Sequence, residues 1–339
     1  MLPRLLKLIC NCYTVLSLIT EVAVSAFFLS GSFPPKPNLK RLFHESTMVT
    51  DQAPVIFVHG VLGSKLRHKE TKVEGWFSSP WRLLFDEFRH LALDIDVETL
   101  MVEPNIYEPY ELAGDIIGKD FYGNIINTLI EYGGYQHAEP GQKIDPTEKN
   151  LYTFIYDWRQ DNVESARQLA DLVEQIQTDY QDPNLKVDIV AHSMGGLITR
   201  YYMRYGREDV TNDNDFPVNM YGGDRVHRVI LLGTPNLGTV EMLNAFIDGI
   251  KLGLKRINPE TLLTMPSLYQ LLPHPLNNWI VTTSGKELDR DLFDIETWRR
   301  FQWGLFDPKV RERIENQFES KQEAEEYLQT LERFFHKTI

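Results

Sequence analysis

The run Ile189-Val190-Ala191-His192-Ser193-Met194-Gly195-Gly196-Leu197 constrains this 339-residue chain more than any other segment. A short apolar stretch passes through a small-residue turn directly into a helical pattern. With Ala191 in the first small position, the turn has the G-x-S-x-G form of a nucleophile elbow. Such a strand-to-helix turn pushes the serine hydroxyl out of the backbone, and the glycines beside it let the two elements approach. The helix that follows aims its N-terminal N–H groups at the spot where an oxyanion would form. Ser193 is therefore the expected nucleophile, on a chain whose fold must place a strand before it and a helix after it.

The rest of the pattern agrees. Pro54-Val55-Ile56-Phe57-Val58 is a β-branched run ending at His59-Gly60, Leu151 to Tyr156 is a second, Val187 to Ala191 feeds the elbow, and Val229 to Leu232 closes at Gly233-Thr234-Pro235. Between them, Ser165 to Asp179 repeats Leu169, Leu172, Val173 and Ile176 at helical spacing, and Gly195 to Tyr205 reads as the helix after the elbow. This alternation predicts an α/β class fold, a doubly wound and mostly parallel sheet whose active centre lies at the carboxyl ends of its strands. His59-Gly60, Asp157-Trp158-Arg159, Ser193 and Thr234-Pro235 all fall at such ends. No clear period runs from Ser64 to about Pro109. From Ile257 onward the period is helical, with Val310, Ile314 and Phe318 on one face and Tyr327, Leu328, Leu331, Phe334 and Phe335 on another. The division expected is a core over 53–256 with a lid-like insertion near 64–110, then a helical cap over 257–339.

A serine nucleophile needs an oxyanion hole and a base. One backbone donor is expected from the residue after the serine, Met194, and the other from the loop after the first strand, at Val61. His59 and His192 are poor bases by chain order, since this arrangement presents serine, then acid, then histidine. His192 is expected to pack or hydrogen-bond locally, and His59 to shape the oxyanion loop. Asp157 and Arg159 either touch substrate or, the stronger expectation, fix loops by hydrogen bonds. Large apolar residues crowd Trp76 to Phe88 (Trp76, Phe77, Trp81, Leu84, Phe85, Phe88) and again Trp298 to Phe306. A lid over an acyl groove and ordinary cap packing would both use them, and both readings stay open.

The base is the difficulty. After Ser193 come His227, His274 and His336. His227 immediately precedes the Val229 strand, at its wrong end; His274 lies in a proline-bounded loop; His336 sits on a helical face near the end. No acid beyond Ile257 follows a convincing β-run. A serine hydroxyl without a base is a weak nucleophile at neutral pH. An elbow and oxyanion hole alone retain on the order of 10³–10⁴ over water in serine proteases. Without further strands the Val229 strand would also be an open sheet edge.

Composition excludes more than it assigns. The net charge is −13, with acidic residues scattered along the chain, so nucleic acid is not an expected partner and anionic membrane surfaces are poor ones. No metal cluster or phosphate-binding glycine loop stands out, so neither metal nor cofactor is expected. Both cysteines, Cys10 and Cys12, lie near the N-terminus, which leaves no disulfide framework. Leu8 to Leu29 is mostly apolar, follows Arg4 and Lys7, and contains the small-residue site Val24-Ser25-Ala26. Residues 1–32 thus read as a signal peptide or membrane anchor, although Asn11 and Glu21 are costly at membrane depth. This points to a membrane-associated or secreted protein, with a polar, proline-rich linker over 33–52.

Five segments resemble the lecithin:cholesterol acyltransferase-like family of α/β-hydrolases: Pro54 to Ser64, Tyr156-Asp157-Trp158-Arg159, Val190 to Leu197, Leu232 to Gly238, and Pro266-Ser267-Leu268-Tyr269-Gln270-Leu271-Leu272-Pro273. The elbow is common to many lipases, whereas the second and fifth segments are far more specific, and all five stand in the family's order. The resemblance implies the α/β-hydrolase fold with a helical cap or lid, Ser193 as the residue that takes the acyl group, and oxyanion donors at Val61 and Met194. It implies a serine acyl hydrolase or O-acyltransferase (a lipase or esterase) acting on lipid esters, with an alcohol or water as acceptor. His59-Gly60 departs from the Pro-Gly of the eukaryotic acyltransferases and is closer to a lipase or esterase loop. The family continues to a Gly-Asp-Gly segment with the triad acid and then to a histidine loop. Gly223-Asp224-Arg225 precedes the Val229 strand and does not match that segment. The expectation is therefore a triad acid and histidine from outside this chain or, as the alternative, a catalytically inactive scaffold that binds lipid or a partner.

Overall fold

A computed structural model of the chain describes residues 52–76, 88–116, 119–120, 122–210, 216–252, 255–276, 279–288 and 291–339. The leader expected at 1–32, nearly all of the linker expected at 33–52, and Phe77, Trp81, Leu84 and Phe85 lie outside these residues. Among the described residues no helix is long and apolar enough to cross a membrane.

The centre of the molecule is a five-stranded sheet. In chain order its strands are β1 (Val55–Val58), β5 (Gln136–His137), β6 (Asn150–Phe154), β7 (Val187–His192) and β8 (Val226–Leu232). They lie in the order β8-β7-β1-β6-β5, and each adjacent pair is parallel. Parallel strands need crossovers, and two of these are the long helices α2 (Asn162–Asp179) and α3 (Met194–Tyr205), with the short α1 (Gly123–Asn127) before them and α4 (Val240–Asp248) after them. α2 starts three residues earlier than the apolar period shows, because Asp161 caps it by accepting the N–H of Val163. Its buried face holds Ala166, Leu169, Ala170, Val173 and Ile176 against the sheet core. The interior strands are buried on both faces, as parallel strands between helices must be. This parallel sheet with flanking helices is the α/β-hydrolase fold expected from the sequence.

The segment without clear period contains regular structure that the sequence reading did not find. Strands β2 (Ser64–His68), β3 (Glu74–Trp76) and β4 (Tyr107–Leu112) form a separate antiparallel sheet in the order β3-β2-β4. They are short, shift register at two places, and include Pro109, so no alternation survives long enough to read. Past residue 257 the helical expectation holds for α5 (Ile295–Phe301), α6 (Pro308–Glu315) and α7 (Lys321–Thr338). α7 opens on Ser320, whose hydroxyl caps the N–H of Glu323, and buries Leu328, Leu331, Phe334 and Phe335.

Candidate active site

The backbone turns sharply at Ser193, which has φ 52° and ψ −126° and sits between β7 and α3. A non-glycine residue in this region carries about 1–3 kcal/mol of strain and persists only where its surroundings hold it. Here Ser193 N–H donates to Leu232 O (2.9 Å) and Ser193 O accepts from Gly196 N–H (3.0 Å), tying the turn to β8 and to the first turn of α3. The two glycines after the serine are needed for space. A Cβ on Gly195 would collide with His59 O, and one on Gly196 with the Thr234 side chain. On the facing loop, a Cβ on Gly60 would lie 2.8 Å from Ser193 Cβ and 3.3 Å from its Oγ. Three loops at the carboxyl ends of β1, β7 and β8 thus meet at Ser193, as the sequence predicts.

The loop after β1 is held from several sides. His59 is fully buried, donates from Nδ1 to Gly60 O (2.8 Å), and accepts the Tyr156 N–H at Nε2 (3.4 Å). Its ring stacks on Tyr156 at 4.1 Å, and the Tyr156 hydroxyl donates to His59 O (2.7 Å). With one ring nitrogen donating and the other accepting, the imidazole is neutral, and burial pushes its pKa down to about 4. His59 shapes the loop, as expected, and is no general base. His192 meets the Tyr122 hydroxyl at 3.2 Å through Nδ1, and burial lowers its pKa as well.

Tyr122 is the residue that the sequence reading missed. Its buried hydroxyl accepts the Gly60 N–H (2.9 Å) and meets His192, linking the loop after β1 to the strand that carries the elbow. Nothing local marks it, because its partners lie 62 and 70 residues away in sequence. Among the described residues, no acceptor takes the N–H of Val61 or of Met194.

The Tyr156–Arg159 segment is structural. Arg159, fully buried, donates to both Asp157 oxygens (2.9 and 2.7 Å) and to Leu91 O (3.0 Å). Asn105 also donates to Asp157, and Arg159 lies over the Tyr107 ring. This ion pair therefore anchors the 88–112 region to the end of β6. The Pro266–Pro273 segment docks on the same place: Ser267 Oγ donates to Trp158 O (2.6 Å), and Gln270 bonds both Asn162 N and Asp161 Oδ1. Trp76, Trp158 and Phe88 pack edge to face in the core. Trp298 is fully buried against Phe246 and Phe335. For these described aromatics the packing reading holds.

No hydrogen bond joins Ser193 Oγ to any described residue. His227 lies inside β8 rather than before it, near its amino end, with Nδ1 3.1 Å from Asp188 Oδ1. That is the far end of the sheet from Ser193. His274 is exposed, donates its N–H to Leu237 O, and accepts the Leu276 N–H at Nδ1 (3.2 Å). His336 is exposed on α7.

No curated protein matches the chain. Among solved structures, the crystal structure of the Tle4–Tli4 complex is similar with a TM-score of 0.49 and 18% identity, over 86% of this chain and 72% of that one. Residues 143–303 match the family model described as lecithin:cholesterol acyltransferase. They hold the Tyr156–Arg159 segment, Ser193 and the Pro266–Pro273 segment, so over this span the chain is similar to the lecithin:cholesterol acyltransferase family.

Proposed function

We propose that the protein is a serine acyl hydrolase or O-acyltransferase for lipid esters, working through an acyl group carried on Ser193. The observation that carries this reading is the strained turn at Ser193, which faces Gly60; the N–H groups of Val61 and Met194, the residues after Gly60 and Ser193, have no acceptor among the described residues. In the reaction, a base removes the Ser193 Oγ proton while Oγ bonds to the acyl carbon. The two N–H groups stabilise the negative charge that develops on the carbonyl oxygen. The ester C–O bond then breaks and the departing alkoxide takes the proton. Water or an alcohol repeats the sequence in reverse and frees the serine. The similarity over residues 143–303 supports acyl chemistry and a lipid substrate.

The test is labelling of the purified, folded chain with a fluorophosphonate probe, beside Ser193→Ala. Labelling that vanishes in Ser193→Ala is expected. A folded chain that stays unlabelled, or labels equally without the serine, overturns the reading. That outcome favours an inactive scaffold, for which the observation is that Ser193 Oγ has no described hydrogen-bond partner.

A further inference from the structure

Gly60 has no room for a side chain, because a Cβ there would lie 2.8 Å from Ser193 Cβ. Glycine is also the residue that constrains its own backbone least. Gly60 joins the His59–Gly60 peptide to the Gly60–Val61 peptide, and the second of these carries the Val61 N–H. Close approach to the serine therefore puts a loose joint directly before the expected oxyanion donor. A trans peptide is planar, with its C=O and N–H pointing in opposite directions, so fixing either group aims the other.

The groups around the loop remove that freedom one peptide at a time. In the Gly60–Val61 peptide, Gly60 O accepts from His59 Nδ1 (2.8 Å) and from Gly63 N–H (3.1 Å), which turns the Val61 N–H to the opposite side. In the His59–Gly60 peptide, His59 O accepts from the Tyr156 hydroxyl (2.7 Å), and Gly60 N–H donates to the Tyr122 hydroxyl (2.9 Å). Tyr122 stands immediately before α1 and sets its ring edge to face with Phe57 (5.2 Å) and His192 (5.5 Å). Its hydroxyl also lies 3.2 Å from His192 Nδ1. Gly60 directly precedes one expected donor, Val61, and His192 precedes the Ser193-Met194 pair that carries the other. One oxygen thus ties together the two loops whose N–H groups serve a single oxyanion. Burial pushes the Tyr122 pKa up to about 12, so the group stays a neutral hydroxyl near neutral pH.

We infer that Tyr122 is a positioning residue for the acyl reaction, its hydroxyl setting the direction of the Val61 N–H and its separation from the Met194 N–H. This rests on the reading of Ser193 as an acyl-carrying nucleophile. The ring alone does not do this, since a phenylalanine would make the same edge contacts with Phe57 and His192. What the hydroxyl adds is the link between Gly60 and the elbow strand. Its effect falls on the transition state, where charge gathers on the acyl oxygen, rather than on binding of the uncharged ester.

Fluorophosphonate labelling, followed against probe concentration, tests this. Ser193 Oγ bonds to phosphorus, fluoride leaves, and the phosphonyl oxygen takes the place of the acyl oxygen. Tyr122→Phe, shown to be folded by circular dichroism, is expected to lower the maximal labelling rate at least about tenfold, with the half-saturating concentration within about twofold of wild type. Val61→Pro has no N–H to aim, so in that background Tyr122→Phe is expected to cost less than about twofold more. A folded Tyr122→Phe chain that labels at the wild-type rate overturns the inference and leaves the proposed function standing. So does a loss that is as large beside Val61→Pro as without it. If Tyr122→Phe does not fold, His192→Phe decides, because it keeps a ring beside Tyr122 and removes the nitrogen. A lowered maximal rate at unchanged half-saturation then supports the inference, and an unchanged rate overturns it. A folded wild-type chain that does not label at Ser193 overturns both.

Discussion

Strands β7 and β8 are neighbours in one parallel sheet, with similar apolar runs and opposite surroundings. β7 buries Val187, Ile189, Val190 and Ala191 between layers, whereas β8 leaves Val229, Ile230 and Leu231 in solvent. Hydrophobic sequence marks both as strands of a covered sheet, but only a neighbour on each side makes the cover. The interior half of the site is complete in itself: the elbow, the loop after β1 and the Tyr156–Arg159 segment lock together through buried hydrogen bonds. On the outer side, among the described residues, β8 has a partner on one edge only, and its acid–histidine pair lies at the end away from Ser193.

The interior is where substitution is expected to do most damage. Arg159→Ala leaves Asp157 buried without its bidentate partner and is expected to cost about 3–5 kcal/mol in urea unfolding. A loss within 1 kcal/mol would mean that this pair is not what joins the 88–112 region to β6. The acid limb is expected next. Folded His59 stays neutral until pH falls to about 4, while the unfolded residue binds its proton near 6.5. The unfolded chain therefore gains the proton first as pH falls. Stability from this group is whole above pH 6.5 and declines between 6.5 and 4, by on the order of 3 kcal/mol. Denaturant titration at several pH values should show that slope, and His59→Gln should flatten it.

Gly195→Ala drives a methyl into the His59 carbonyl and is expected to cost about 1–3 kcal/mol, with labelling of Ser193 lost as the helix shifts from β1. Unchanged stability and labelling would show that α3 has slack the packing denies. At the edge, Ile230→Lys should change the chain's own folding stability by no more than about 0.5 kcal/mol, since the side chain is already half exposed. A large loss there would show that β8 is covered in solution, and would erase the contrast between the two strands.

Much of this was legible in the sequence. The four main strands, the two long helices and the convergence of His59-Gly60, Ser193 and Thr234 at strand ends follow from local runs and their punctuation. Two features were not. The β2–β3–β4 sheet is built from segments too short and irregular for a period to show, and its order depends on contacts between residues about 40 apart. Tyr122 bonds groups 62 and 70 residues distant, and no residue beside it announces that role. His227 shows the opposite limit. Its distance from the serine of its own chain is readable from chain order, but its orientation on Asp188 comes only from the pairing of β7 with β8.

By itself, then, the sequence determined the strand–turn–helix at Ser193 and the small residues around it. Backbone strain and close approach leave few residue types that fit such a turn, so their presence is informative. The tertiary structure decided which groups face one another: the hydroxyl that steadies the Gly60 loop, the ion pair beneath Tyr107, and the apolar strand at the edge of the described sheet. Those depend on the register of distant segments, and hydrogen bonds and burial are set by position in space rather than by neighbours in the chain.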